Sequence, residues 1–126
     1  MIKGTGTDIV DIDRMDAIVK KYGDLFLNKI FTKTEIDYCA SKPVAAVRYA
    51  GRWAVKEAFY KALPPSCQRF CFWKSIEVVT DHKTGAPSLC ICSTQLKTLM
   101  KEAGIENSFI SLSHEKKFCI AFAVLE

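Results

Sequence analysis

Apolar and polar positions alternate in the first dozen residues. Counted from Ile2, every second position up to Ile12 falls on one side of an extended chain, and this side carries two glycines, a valine and one carboxylate, Asp8. The pattern predicts a strand over about residues 2–12 with an acid on its apolar face. Such an acid needs an explanation, since a charge taken out of water is costly unless it is paired. A local alternative is that the strand ends at Thr7 and leaves Asp8 as an edge or capping residue.

Helical spacing and capping residues follow in the rest of the first half, and strand-like runs dominate the second half. Helices are predicted up to Gly23 after a cap at Asp11 or Asp13, around Leu25 to Ile30, over 33–40 behind a capping box of Thr32 and Glu35, over 44–63 with Pro43 in the first turn, and over 94–103. Strands are predicted for "SIEVV", "SLCIC", "FISLS" and "FCIAFAVL", the last two as a hairpin across residues 114–117. This order predicts an α+β fold: a single small domain, residues 1–126, with a mostly antiparallel sheet packed on a long central helix.

Composition narrows the class of protein. Of the 126 residues, 49% are hydrophobic and 25% are charged, which is typical of a globular domain. No apolar run approaches the roughly 20 residues of a membrane span, and no secretory segment precedes the first strand, so we expect a cytoplasmic protein without membrane contact. The formal net charge of +4 favours an anionic partner. The basic residues form no stripe among exposed aromatics, however, and we expect no nucleic acid.

Six cysteines admit either a disulfide framework or a zinc site. Zinc is disfavoured because no C-x-x-C pair occurs and the two histidines lie outside any ligand-like cluster. Cys90 and Cys92 belong to one strand-like run, and Cys119 begins another. We therefore interpret the cysteines as reduced packing residues.

The longest predicted helix carries a second acid on an apolar sector. At about 100° per residue, Glu57 is flanked by small and apolar side chains, whereas Arg52 projects well around the helix. A pair with Lys61, four residues later, is the simple explanation of Glu57. Two such acids suggest more, because carboxylates held close together repel unless a cation or a proton joins them. Asp8 and Glu57, with no Cys or His beside them in sequence, suit Mg²⁺ bound together with substrate phosphate.

Four segments together resemble the holo-acyl-carrier-protein synthases, the AcpS family of phosphopantetheinyl transferases. They are "GTGTDIVDIDR" (residues 4–14), "GRWAVKEAFYKAL" (51–63), "WKSIEV" (73–78) and "SLSHE" (111–115). In the same order, they resemble the family's glycine-rich G-T-D-I-V-E strand, R-F-A-x-K-E-A-x-x-K-A helix, W-x-x-I-E-V strand and S-I-S-H turn. The resemblance covers nearly the whole chain. It implies an enzyme of fatty acid biosynthesis that transfers the 4′-phosphopantetheine arm of coenzyme A to a serine of apo acyl carrier protein and releases adenosine 3′,5′-bisphosphate.

The same resemblance implies roles for individual residues. Asp8 and Glu57 match the family's Mg²⁺ ligands. Lys61, Arg52 and His114 match positions that contact the coenzyme phosphates or take part in the transfer. The base that removes the serine proton stays open among Glu57, a metal-bound water and His114.

Partner surfaces are also implied by the resemblance. Arg14 matches a position that docks the acidic carrier protein, and a basic and apolar helix face is expected around it from Met15, Ile18, Lys20 and Lys21. The two lysines are equally well explained as solvated surface. The family further implies a homotrimer with active sites shared between neighbouring subunits.

The chain departs from the family pattern after the long helix. There, "PPSCQRFCF" (residues 64–72) replaces a glycine-containing loop and Pro64 takes the usual glycine position, so the shape of the coenzyme-side loop is not implied. Asp11 in place of glutamate and Trp53 in place of phenylalanine are smaller changes. The alternative function is a non-catalytic module that binds coenzyme A or an acidic partner without turnover. The presence of both acids and of Lys61 disfavours it.

Overall fold

The structure, a computed structural model, describes all 126 residues. The strands are β1 (Gly4–Asp11), β2 (Ile76–Thr80), β3 (Pro87–Ile91), β4 (Ser108–His114) and β5 (Phe118–Leu125). The helices are α1 (Ile12–Tyr22), α2 (Asp24–Ile30), α3 (Lys33–Ala40), α4 (Ala45–Ala62), α5 (Pro65–Gln68) and α6 (Thr94–Glu102), and a 3-10 turn covers Trp73–Ser75. No helix among them has the length and apolar character needed to cross a bilayer.

All strand pairs are antiparallel. β1, β5 and β4 form a three-stranded sheet in that order, and β2 and β3 form a separate two-stranded sheet. Helix α4 packs most extensively on β1 and β5, so the long helix lies across the larger sheet. The predicted α+β fold is confirmed.

The contact between β1 and α4 is closer than a side chain would allow. A Cβ atom on Gly4 would overlap the carbonyl oxygen of Ala62, and one on Gly6 would overlap that of Ala58. These glycines therefore serve the close packing of strand on helix. Asp8 continues the same face of β1 two residues later.

Helix α4 joins two core clusters. One cluster lies between the second half of α4, β2, β5 and α6, and the other lies between the first half of α4 and helices α1 to α3. Every residue from Tyr49 to Phe59 is buried except Trp53 and Glu57. A charged side chain in this stretch must therefore be paired or must reach the surface.

Most element limits follow their sequence signals. Asp11 caps α1, and Thr32 and Glu35 form the predicted capping box of α3. The prediction for Pro43 was wrong, since this residue precedes α4 by two positions instead of lying in its first turn. The short helix that begins at Pro65 was not predicted, although a proline at the first position of a helix is a common start signal.

The six cysteines are free thiols. Cys39, Cys67 and Cys119 are buried, as expected of packing residues. Cys90 and Cys92 contradict that interpretation because both are exposed. The physical reason is that the two-stranded sheet of β2 and β3 has only one face against the core, so alternate side chains of its strands face solvent.

Candidate active site

Asp8 lies in the interior of β1, opposite Ala121 of β5. The strand continues to Asp11, so Asp8 is neither a strand end nor a cap. Only 15% of its side chain is exposed, and its Oδ1 atom accepts a hydrogen bond of 3.0 Å from the Lys61 ammonium. The same ammonium donates to the carbonyl oxygen of Thr7 at 3.0 Å. The acid on the apolar face of β1 is thus neutralised by a cation from α4.

Glu57 lies one helical turn before Lys61 on α4. Lys61 forms its salt bridge with Asp8 and not with Glu57, which contradicts the simple explanation of Glu57 as half of a helical ion pair. Burial, and then the negative charge of Asp8, raise the pKa of the Glu57 carboxyl above its ordinary value, while the Lys61 ammonium opposes them. Asp8 therefore lies within electrostatic range of Glu57, which is a half-buried carboxylate without a bonded cation.

A pocket of about 260 Å³ opens beside Glu57. Its other lining residues are Lys56, Tyr60, Cys71, Phe72, Trp73 and Ile76, and its walls are mostly apolar. Burial raises the pKa of the Cys71 thiol to about 11, so this thiol is protonated at neutral pH and is a poor nucleophile. Glu57 is the one carboxylate that lines this pocket, and Asp8 and Lys61 lie within electrostatic range of it.

The acidic site, defined as Asp8, Glu57 and Lys61, offers oxygen ligands only. No group of three or more His, Cys, Asp or Glu side chains in the chain is arranged to hold a metal ion, so the protein alone does not complete a coordination shell. Mg²⁺ commonly binds through one or two carboxylates and keeps water or phosphate oxygens in its other positions. Two neighbouring carboxylates whose repulsion is only partly relieved fit this ion.

Arg52 does not lie with the acidic site. It is 3% exposed, its guanidinium carbon lies 4.1 Å from the ring centroid of Tyr38, and its Nη2 donates to Thr80 Oγ1 at 2.7 Å. These contacts join α4 to α3 and to the end of β2. The Nε atom of Arg52 is buried without a hydrogen-bond partner. One chain alone therefore does not bring Arg52 to Asp8 and Glu57.

His114 is the last residue of β4 and is exposed. Asp8 pairs with Ala121 across β1 and β5, and Ala121 pairs with Leu112 across β5 and β4. His114 lies two residues beyond Leu112, opposite Cys119. Two strand spacings and two residues of rise separate the backbones of His114 and Asp8 by about 12 Å. His114 thus shares a sheet face with Asp8 but is not brought into contact with it.

Arg14 lines a groove of about 280 Å³ between β1, α1, α2 and α4. The groove is otherwise lined by Ile9, Val10, Asp11, Met15, Ile18, Phe26 and Trp53. Met15 is only 3% exposed, so it forms the floor of the groove instead of the exposed contact that was expected. Lys20 pairs with Asp16 at 2.7 Å, and neither Lys20 nor Lys21 lines the groove. Arg14 is the groove's one cationic lining residue.

The pair of Glu35 and Lys56 was missed by the sequence analysis, which gave Glu35 only a capping role. The two side chains form a salt bridge of 2.7 Å and are almost completely buried. The available signal was the position of Lys56 within the buried stretch of the long helix, where a charge requires a buried partner. The identity of that partner depends on how α3 packs on α4, and no local sequence pattern predicts this packing.

Comparison with known proteins defines the class. Residues 4–123 match the family model described as the 4′-phosphopantetheinyl transferase superfamily. A holo-(acyl-carrier-protein) synthase of Halothermothrix orenii is 45% identical over 126 residues, covering 100% of this chain and 98% of the relative. A protein of the same name from Geobacter sp. (strain M21) is 41% identical over 126 residues, covering 100% and 99%. The chain therefore belongs to the 4′-phosphopantetheinyl transferase superfamily.

Solved structures agree with the fold. The crystal structure of holo-(acyl-carrier-protein) synthase from Neisseria meningitidis matches with a TM-score of 0.85 at 30% identity, covering 100% of this chain and 99% of that one. The Helicobacter pylori synthase in complex with coenzyme A matches with a TM-score of 0.78 at 28% identity, covering 97% and 99%. The resemblance to this synthase family and the prediction of a phosphopantetheinyl transferase are confirmed.

The raised pKa of Glu57 predicts a pH-dependent effect of the Glu57→Gln substitution. Ionising this carboxyl costs more in the folded than in the unfolded chain, so its contribution to stability is lost as pH rises through the folded-state pKa. Without divalent ions, we expect the melting temperature of the variant relative to wild type to increase between about pH 4 and about pH 8. Calorimetric melting at each pH measures it. In an Asp8→Asn background the increase should be smaller, and an effect independent of pH would contradict the prediction.

Proposed function

We propose that the chain transfers 4′-phosphopantetheine from coenzyme A to a serine of apo acyl carrier protein, in an Mg²⁺-dependent reaction that releases adenosine 3′,5′-bisphosphate and serves fatty acid biosynthesis. Residues 1–126 act as one transferase domain. The observation that carries the proposal is the bonded pair of Asp8 and Lys61 within electrostatic range of Glu57, which lines a pocket, in a chain of this superfamily. A relative of similar fold was solved with coenzyme A. The cytoplasmic location expected from the sequence stays a prediction.

The chemistry suits this set of side chains. The serine oxygen attacks the phosphorus that carries the pantetheine arm, a new P–O bond forms, and the bond to the oxygen of the leaving nucleotide phosphate breaks. Because anionic oxygens flank the phosphorus, the main tasks of the enzyme are positioning and charge neutralisation. Asp8 and Glu57 would hold Mg²⁺, which supplies Lewis-acid stabilisation of charge on the diphosphate.

Lys61 and Glu57 have complementary roles in the proposal. Half of the Lys61 side chain is exposed, at 49%. Its ammonium donates two of its three protons to Asp8 and Thr7, so the third would be donated to a bound phosphate. Glu57, a metal-bound water and His114 all stay candidates for the base that removes the serine proton. His114 would need to come from a second chain, given its distance from Asp8 within one chain.

An exposed apolar sheet face supports the proposal of a homotrimer with active sites at its subunit interfaces. Ile9, Phe109, Phe118, Ile120 and Phe122 are between 43% and 62% exposed. Ile9 and Ile120 are directly paired on neighbouring strands, so they extend one continuous face of the larger sheet. An apolar face of this kind is typical of a protein–protein interface. Association would also be the way to bring Arg52 and His114 of one chain to the acids of another.

The groove at Arg14 supports the proposal of a docking site for the acyl carrier protein. It joins an apolar floor, including Met15 and Ile18, to one exposed guanidinium. An acidic helical partner would place apolar side chains in the groove and a carboxylate on Arg14. Lys21 lies on the same helix and adds positive charge nearby.

Transfer activity is the central prediction. With coenzyme A, Mg²⁺ and apo carrier protein, we expect the carrier to gain the mass of one phosphopantetheine group, measured by mass spectrometry. Asp8→Asn should lower the rate by about a hundredfold or more, because it removes one charge from the site of charge neutralisation. Glu106→Gln, an exposed carboxylate outside the site, should remain within about twofold of wild type. Chelation should stop the reaction and Mg²⁺ should restore it. Binding of coenzyme A without mass gain would instead support the non-catalytic module.

Arg14 provides a test of carrier docking. Arg14→Glu should raise the KM for the carrier about tenfold and leave the KM for coenzyme A unchanged, because a like charge would face the acidic partner. The difference from wild type should shrink at high ionic strength. Lys97→Glu makes the same charge change on the exposed side of α6 and serves as the control. Equal effects of the two substitutions would reject the groove as the docking site.

The oligomeric state is tested by sedimentation. Wild type should sediment as three chains, and Phe122→Glu should dissociate the assembly and abolish transfer, since the new charge would be buried at the apolar face. Val79→Glu alters a comparably exposed apolar residue on the smaller sheet and should change neither property. A fully active monomer would overturn the homotrimer.

A further inference from the structure

The buried pair of Glu35 and Lys56 has no place in the proposed chemistry. Their charged atoms lie 2.7 Å apart with side-chain exposures of 0% and 1%. Burying two charges is costly, and a well-packed apolar pair of similar volume often stabilises a core equally well or better. Packing alone therefore does not explain why a buried salt bridge joins α3 to α4.

Lys56 reaches more than its carboxylate partner. Its ammonium donates to the carbonyl oxygens of Trp73 at 2.7 Å, Ile76 at 3.0 Å and Ile30 at 3.1 Å. An ammonium has three protons, and with Glu35 it has four acceptors in range, so it is fully occupied. Two of these acceptors belong to the backbone that runs from the 3-10 turn into β2.

Glu35 binds the same segment at Val78, two residues after Ile76. Its Oε2 atom accepts a hydrogen bond of 2.8 Å from the Val78 N–H, and its Oε1 atom accepts one of 2.9 Å from the Thr32 N–H within the capping box. The pair therefore fixes the chain from Trp73 to Val78 at three backbone positions. Apolar side chains could fill the same space, but they would leave these backbone groups without partners.

The fixed segment is a wall of the Glu57 pocket. Trp73 and Ile76 line that pocket together with Lys56 itself. Lys56 and Glu57 are consecutive on α4, so they project about 100° apart. Glu57 and Lys56 therefore both line the pocket from the same turn of α4, and the Lys56 ammonium is hydrogen-bonded to the wall formed by residues 73–76.

We propose that Glu35 and Lys56 are a positioning pair, which sets the distance between Glu57 and the wall of residues 73–76 and so determines the affinity of the pocket for coenzyme A. The identity of this ligand rests on the proposed function. Neither residue touches the reacting phosphate; both act through the backbone that they hold. Rigid placement of a pocket wall favours binding because less ordering remains to be done when the ligand arrives.

Kinetics distinguish positioning from general stability. Lys56→Met should raise the KM for coenzyme A about tenfold and keep kcat within about threefold, because it loosens ligand binding and not the transfer step. Ile105→Ala, which opens a cavity in the core at a residue that does not line the pocket, is the control for lost stability. It should lower the melting temperature but leave the KM unchanged. Equal KM values for Lys56→Met and wild type, or equal rises in both variants, would overturn the proposal.

A spectroscopic measurement tests the wall without coenzyme or activity. The chain has two tryptophans, and Trp73 stacks on Trp53 with ring centroids 4.3 Å apart. We expect Lys56→Met to shift tryptophan emission to longer wavelength and to speed hydrogen exchange at the Val78 amide, whereas Ile105→Ala should keep the wild-type emission. Unchanged emission and exchange would overturn the proposal. If wild type transfers nothing, the proposed function fails, and these two readouts still decide whether the pair holds the wall.

A second variant keeps the test decisive if Lys56→Met does not fold. Lys56→Met leaves Glu35 buried without its cation, which is strongly destabilising. If it does not fold, the double variant Glu35→Met with Lys56→Met removes both charges and should show the same KM rise and emission shift. If neither folds, the pair is required by the fold as a whole, and its assignment as a positioning pair for the pocket is overturned.

Discussion

The contact of β1 with α4 is the constraint on which the acidic site depends. The carbonyl oxygens of Ala58 and Ala62 occupy the space that side chains on Gly6 and Gly4 would need. The strand can therefore approach the helix closely, and its next inward-facing residue is Asp8. Lys61 lies on the same part of the helix and reaches Asp8 at 3.0 Å. A strand held farther away by side chains would leave both charges without partners at the edge of an apolar layer.

Two neighbouring charged residues of α4 have opposite environments, and the difference supports the proposed role of Glu57. Lys56 points inward, and every proton of its ammonium has an acceptor. Glu57, the next residue, is half-buried, has no bonded cation and lies within electrostatic range of the Asp8 carboxylate. Buried charges that are fully partnered hold structure, whereas a partly desolvated and unpartnered carboxylate is ready to bind a cation or a proton. The pocket opens on the side of Glu57.

The sequence was sufficient for features whose cause is local, and insufficient for those that depend on packing. The capping box of Thr32 and Glu35 and the alternation around Asp8 were predicted because each rests on residues close in sequence. The partner of Lys61 was not predicted. The spacing along the helix indicated Glu57, whereas in the folded chain Lys61 forms its salt bridge with Asp8. For Glu35, the sequence predicted only the capping-box contact, which uses one of its two carboxylate oxygens. Its second oxygen binds Val78, which is 43 residues away in sequence, and no period or spacing encodes that contact.

The proposed homotrimer would explain two features of the single chain together. Arg52 keeps a buried Nε without a partner and stands apart from the acids, and His114 lies on the far strand of the larger sheet. Independently of both, the outer face of that sheet exposes paired apolar residues such as Ile9 and Ile120. In the proposed homotrimer, an assembly that covers the sheet face would also bring Arg52 and His114 of one chain towards another chain's carboxylates. Placing the neutralising groups on different chains would make phosphate binding depend on assembly, because an isolated chain supplies Lys61 alone at the acidic site.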